Sequence, residues 1–301
     1  QTGVPAITGA MQQCIASGAW PVDTGNTFRY YDANRNAVIQ YTRDNLLENV
    51  AEAAARNGVS LAAVNAWYFE NRGTFAGDER RPYIQAPPLS GPLPGIFRSR
   101  VEAAIRIIEG KPVMTGDRIY RPESMPRFLS IYADDLDTVA HNVKVTYDGL
   151  EVARTRKQWQ DNIIFTLQRM DEDLGRLVDA LRKRGIYERT TIVLATDHGM
   201  VPVGADTAEP EPPYPPEALS SLPDLLRTVA AAGRPFIGRD YQVEALCRSG
   251  EQARANTEVV VTTVGLQAQI VFRLPFQREA ADEIVRRLRF KPYYGAHLHR
   301  E

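Results

Sequence analysis

The chain of 301 residues predicts an α/β fold: a doubly wound, mostly parallel sheet with helices on both faces, and a small inserted or C-terminal α+β portion. Three observations predict it. Amphipathic helical patterns alternate with short apolar runs along most of the length, the order that a parallel sheet with crossover helices requires. A long helix in the middle is followed at once by a β-branched run, "TTIVLAT", of the kind buried on both faces of a parallel sheet. After a proline-rich patch, the tail reads strand, helix, strand.

Taken in order, "NLLENVAEAAARNG" places Leu46, Leu47, Val50, Ala51, Ala54 and Ala55 at helical spacing, with Gly58 as a stop signal. "VSLAAVNAW" reads as a buried strand, Pro82 to Gly95 as loop, and Val101 to Ile108 as a short helix. The strongest helix carries Trp159, Ile163, Ile164, Leu167, Met170, Leu174, Leu177, Val178 and Leu181 at steps of three and four and ends near Gly185. Residues 209–223, "EPEPPYPPEALSSLP", are too proline-rich for core and read as a surface loop or the start of an insertion. "LQAQIVFRL", "EAADEIVRRLRF" and "GAHLHRE" complete the chain as strand, helix and strand.

Composition narrows the function. With 44% hydrophobic residues the chain can bury a large core, and a net charge of −1 gives no global field to steer it towards nucleic acid or anionic membranes. Cys14 and Cys247 are too few for a disulfide framework or a cysteine-based zinc module and read as free thiols. No apolar stretch reaches the ~20 residues that span a bilayer. The chain opens at Gln1 without a signal-peptide pattern or an initiator Met, so a leader or a first strand has room to precede it. Neither a Gly-x-Ser-x-Gly elbow, a phosphate-binding Gly-x-x-x-x-Gly-Lys loop nor a His-Glu-x-x-His helix is present.

The chemistry is concentrated in two places. "RFLSIYADDLD" leads to Asp137 and His141, and "TTIVLATDHGM" leads to Asp197 and His198, so each apolar run is followed by one carboxylate and one imidazole. Ligands of open α/β sheets collect beyond the carboxyl ends of the strands, and these two residue types suit borderline cations such as zinc. Either pair alone reads as an acidic loop or a strand-to-loop turn; their repetition points to a two-metal site. His297 and His299 lie on an alternating segment and read as surface strand residues.

These residues resemble the type I phosphodiesterase and nucleotide pyrophosphatase group of the alkaline phosphatase superfamily. "YADDLDTVAH" is similar to its Asp-x-x-x-His segment, with Leu136 and Ala140 where the family has Pro and Gly, and "TDHGM" matches its later strand end. "TGAMQQCIASGAWPVDTGN" fits the family's nucleophile helix and Gly-x-x-Pro-x-x-x-Gly turn, with Thr8 at the nucleophile position, Gly18, Pro21 and Gly25 in the turn, and Asn26 closing it. A hydroxyl at a helix start also faces free N–H groups and the positive end of the dipole, where a phosphoryl group is favoured; the plain alternative is an ordinary N-cap. Met11 stands where many relatives have Asn, with Gln12 or the Thr8 and Gly9 amides as substitutes.

The resemblance implies an alkaline-phosphatase-like hydrolase domain over 1–301, without its first strand and C-terminal end, with 209–290 as an insertion or cap. It implies hydrolysis of phosphodiester or nucleotide pyrophosphate bonds through a phosphothreonine on Thr8. Two divalent ions are implied, Zn2+ first and Mn2+ or iron as alternatives, one held by Asp197 and His198 with Thr8 and the other by Asp137 and His141. The expected partner is a small phosphorylated substrate such as a nucleotide or diester; a secreted or periplasmic setting accords with the family, and oligomeric state stays open. The family's Asp-Gly ligand ahead of the nucleophile is absent from this sequence, and His297 has only the Gly-x-His part of the last ligand turn, so weak metal binding is expected. Phosphonate hydrolysis is the enzymatic alternative, and a metal-poor, non-catalytic binding protein on the same fold is the other.

Overall fold

The computed structural model describes residues 5–41, 43–87, 96–142, 147, 149–200, 221–264, 267–273, 275, 277–291 and 294. Helix α1 (Thr8–Ser17) stops at Gly18, which turns left-handed (φ 69°) and returns its N–H to Cys14 O. Pro21 occupies the first position of the one-turn helix α2 (Pro21–Thr24), where its missing N–H costs nothing, and Gly25 ends that turn at φ 72°. The Gly, Pro and Gly of the motif are thus a helix stop, a helix start and a second stop. Hairpin β1 (Arg29–Asp32) and β2 (Ala37–Gln40) follows, then α3 (Val50–Arg56) and β3 (Leu61–Val64).

Strand β3 is the centre of a parallel sheet, flanked by β4 (Tyr83–Ile84) and β7 (Phe128–Ile131). Alternation along β3 feeds both faces. Ala62 and Val64 pack with α4 (Ile96–Ile108) and α6 (Arg156–Lys183), whereas Leu61 and Ala63 pack with Ala16 of α1 and Ala51 of α3. All four residues are fully buried, and burial of Leu61 and Val64 contributes about 1.5–3 kcal/mol each. The small antiparallel pair β5 (Val113–Thr115) and β6 (Arg118–Tyr120) lies between α4 and β7 in the chain, and α5 (Asp135–Ala140) follows β7.

A second layer is built from α7 (Ser221–Ala231), the short α8 (Arg234–Ile237), β8 (Val243–Ala245), β9 (Val259–Val264), β10 (Gln267–Phe272) and α9 (Arg278–Leu288). Its sheet runs β10-β9-β8, antiparallel then parallel. Val259 and Val261 face α7 and α9, while Val260 faces Tyr31 and Val38 of the β1–β2 hairpin. The hairpin is stitched on by Val38 N to Glu251 O and by Arg29 Nη1 to Thr263 O.

Several elements depart from the sequence reading. Helix α3 starts at Val50 because Asn49 and Glu52 form a reciprocal capping box, which leaves Leu46 in the preceding loop and 83% exposed. Within the expected loop after Pro82, Tyr83 and Ile84 pair with Ala63 and Val64. Helix α4 begins five residues earlier than the apolar spacing suggested, at Ile96. Ser221, Leu222 and Pro223 open α7 rather than closing the proline-rich loop, whose remaining residues 209–220 lie outside the described residues.

The largest departure is "TTIVLAT". It forms no strand and pairs with none among the described residues, and Val193 and Leu194 are 79% and 76% exposed. The preference of β-branched residues for strands is a packing preference, realised only beside a neighbouring strand. On α6, Ile164 and Leu167 are likewise exposed, whereas Trp159, Leu177 and Leu181 on the same periodic set are buried. Both cysteines are free thiols, and no described helix is long and apolar enough to cross a membrane.

Candidate active site

Thr8 is the first residue of α1 rather than its cap; the cap position is Ile7, which offers no side-chain hydrogen bond. The first intrahelical bond runs from Met11 N to Ile7 O, so the amides of Thr8, Gly9 and Ala10 have no acceptor within the helix. Thr8 Oγ1 lies 3.1 Å from His198 Nε2, joining residues 190 positions apart. His198 is oriented in turn by its own backbone N–H, which bonds Asp197 Oδ1 at 2.9 Å, and by Nδ1, 2.9 Å from Gly199 O. The Asp197 carboxylate is also 3.5 Å from His198 Nε2, and the two side chains are 20% and 15% exposed. Met11 and Gln12 turn into the interior, 3% and 6% exposed, so the polar groups at the helix start are the hydroxyl and the amides.

The second pair stands on α5. His141 Nε2 is 3.4 Å from Asp137 Oδ1, one helical turn apart, and both side chains are nearly half exposed. Among the described residues no group of three or more His, Cys, Asp or Glu side chains is close enough to hold one ion, so the two pairs remain separate as pairs. Each pair still offers the carboxylate and imidazole donors that zinc accepts, and Thr8 adds a hydroxyl to the Asp197 pair. His297 and His299 lie outside the described residues.

An aromatic cluster at the carboxyl ends of β3 and β7, which the motif reading missed, feels the charge of both pairs. Tyr132, just past β7, and Trp67 and Tyr68, just past β3, meet edge to face at centroid distances of 5.7–6.4 Å. Burial pushes the Tyr132 phenol up to about 12 against a hydrogen bond from Trp67, and the charges of Asp134, Asp197 and Asp137 add to the rise. Burial also raises Tyr68, with a contribution from Asp197. One phenol thus senses a carboxylate of each pair. The available signal was positional: "WYF" and Tyr132 each follow a strand of the parallel sheet at its carboxyl end.

A cavity of about 330 Å³ lies elsewhere, lined by Glu52, Arg56, Gly73, Phe75 and Arg81. Its charges are already paired, Glu52 with Arg72, Arg56 with Glu48 and Arg81 with Asp78, and none of the motif residues lines it.

The family model of type I phosphodiesterase / nucleotide pyrophosphatase matches residues 1–284. Venom phosphodiesterase 2 and venom phosphodiesterase 1 of Crotalus adamanteus are each 24% identical over 212 residues, 68% of this chain and 23% and 22% of theirs. Venom phosphodiesterase CdcPDE of Crotalus durissus collilineatus is similar to the same extent, 24% over 212 residues. The matched region is thus less than a quarter of the length of these curated relatives. No solved structure gives a significant match. The chain belongs to the type I phosphodiesterase / nucleotide pyrophosphatase family.

Proposed function

We propose that the chain carries the catalytic site of a metal-dependent hydrolase of phosphodiester or nucleotide pyrophosphate bonds, on an alkaline-phosphatase-like doubly wound scaffold. The observation that carries this reading is the contact of Thr8 Oγ1 with His198 Nε2, which brings a helix-start hydroxyl and the "TDHGM" imidazole together across 190 positions of the chain. Thr8 Oγ1 attacks phosphorus and gives up its proton, an O–P bond forms as the bond to the leaving alcohol or phosphate breaks and that group takes up a proton, and the phosphothreonine ester, still carrying the other substituent, is hydrolysed by water. The amides of Thr8, Gly9 and Ala10 and the positive end of α1 favour the anionic phosphoryl group. Asp197 and His198 beside Thr8, and Asp137 and His141 on α5, are the residues that would hold divalent ions, zinc first given the mixed N and O donors. When bound, such ions lower the pKa of a hydroxyl or water and neutralise charge on phosphorus. Trp67 and Tyr132, only partly buried, would give a flat organic group such as a nucleobase a surface to stack on, with the buried Tyr68 behind them.

The test is turnover of bis-p-nitrophenyl phosphate with added Zn2+. The wild-type chain should cleave it slowly, in keeping with its incomplete ligand set, and Thr8→Ala should lose turnover, as expected for a missing nucleophile, while retaining metal. Wild-type turnover by Thr8→Ala would remove Thr8 from that role. An aryl phosphonate monoester run in parallel separates the phosphonate alternative, and absence of turnover on both substrates supports a binding protein.

A further inference from the structure

The stretch from Tyr132 to His141 is gripped by three side chains, each of which meets a backbone group. Arg100 of α4, buried, donates Nη1 to Tyr132 O at 2.9 Å and Nη2 to Asp134 Oδ2 at 3.2 Å, and its guanidinium lies 5.3 Å from the Tyr132 ring centroid. Asp135, the first residue of α5, is fully buried; its two oxygens accept from Ile96 N at 2.9 Å and Phe97 N at 2.7 Å, the first amides of α4. Trp159 of α6 donates Nε1 to Ala140 O at 2.8 Å.

Helix α5 has six residues, too short to persist on its own propensity. Its direction is therefore set by what fixes its two ends. At the first end a buried carboxylate meets the positive end of a thirteen-residue helix, an interaction strengthened by charge and by exclusion of water. At the other end an indole N–H holds the carbonyl next to His141. Asp137 lies between these anchors and His141 directly follows the second, and both side chains are nearly half exposed, so the backbone held at the two anchors is what carries them.

We infer that Asp135 is a positioning residue for the Asp137/His141 half of the site, with the Trp159 N–H as its second anchor. The inference rests on the proposed reading that this half holds a divalent ion. Partners that orient ligands from outside typically govern metal affinity by about 10–100-fold. The test is Co2+ titration of the whole chain, followed by visible absorption, in wild type, Asp135→Asn and Trp159→Phe. His141→Ala and His198→Ala serve to assign each ion to its half.

Asp135→Asn keeps the size and one acceptor but loses the charge, and should weaken only the ion that His141→Ala removes, by about 10–100-fold. Trp159→Phe keeps an aromatic ring in the pocket but removes the N–H together with the five-membered ring, and should weaken the same ion by less; it carries the test if Asp135→Asn does not fold. Unchanged Co2+ binding in both variants overturns the positioning role, and so does an equal loss at both halves, which would mark a general loosening. A wild-type chain that takes up no Co2+ sinks the metal reading itself, and the positioning claim falls with it.

Discussion

The two Asp/His pairs have the same chemistry and opposite support. The Asp137/His141 pair stands on a backbone held from three directions by Arg100, Asp135 and Trp159, yet its side chains are 46% and 45% exposed. The Asp197/His198 pair ends a run that pairs with no described strand and exposes Val193 and Leu194, yet its side chains are 20% and 15% exposed and one of them touches Thr8. In the first case the scaffold fixes the backbone and leaves the Asp137 and His141 side chains open. In the second the contacts of the Asp197 and His198 side chains locate the backbone. Trp159 links the two: its N–H serves α5, while its ring shares a small cluster with Ala140, Ala153, Ile163 and Met200, two residues past His198.

That link provides the largest predicted effect. Trp159→Ala should destabilise the protein by about 3–5 kcal/mol in urea unfolding, the usual cost of removing a large buried aromatic, and should disturb both pairs. A loss below about 1 kcal/mol would mean that the two halves are supported independently. A smaller, pH-dependent effect belongs to Tyr132, which faces a carboxylate of each half. Its phenol is raised from about 10 to about 12 in the folded chain, so the folded state holds this proton more tightly. The resulting stability is complete below pH 10 and is lost as pH rises from there through about 12. Tyr132→Phe should therefore show a shallower alkaline fall in stability than wild type over that window, followed by denaturant unfolding at each pH. An unchanged slope would place the phenol in free solvent.

The smallest effect is expected at Val193. Val193→Lys should change stability by no more than about 0.5 kcal/mol, as at other exposed positions, whereas the same change at Val261, fully buried in β9, should be severe. A cost of more than about 2 kcal/mol at Val193 would show that something covers the run in solution, and would erase the contrast between the two halves.

What the sequence by itself determined were the features whose cause is local. Gly18, Pro21 and Gly25 mark a helix stop, a start and a stop because each acts through its own backbone angles or missing N–H. The run "LAAV" is a buried strand and Trp159 to Leu181 lie on one helix because periodicity is written in neighbouring side chains. The pairs Asp137/His141 and Asp197/His198 were legible for the same reason, since each is a short-range pattern after an apolar run. Even the start of α3 at Val50 was within reach, in the Asn49 and Glu52 spacing of a capping box.

Tertiary structure decided everything that joins distant segments. Nothing near Thr8 in the chain announces that His198 will lie 3.1 Å away, that Asp135 will receive the first amides of α4, or that the Tyr132 phenol will feel the charges of Asp137 and Asp197. Burial of "TTIVLAT" could not be read either: composition states a preference for strand, but only a neighbouring strand can satisfy its backbone groups and cover Val193 and Leu194, and none of the described strands does. Hydrophobic pattern fixes which face of an element seeks cover; what supplies the cover depends on the packing of residues far away in sequence.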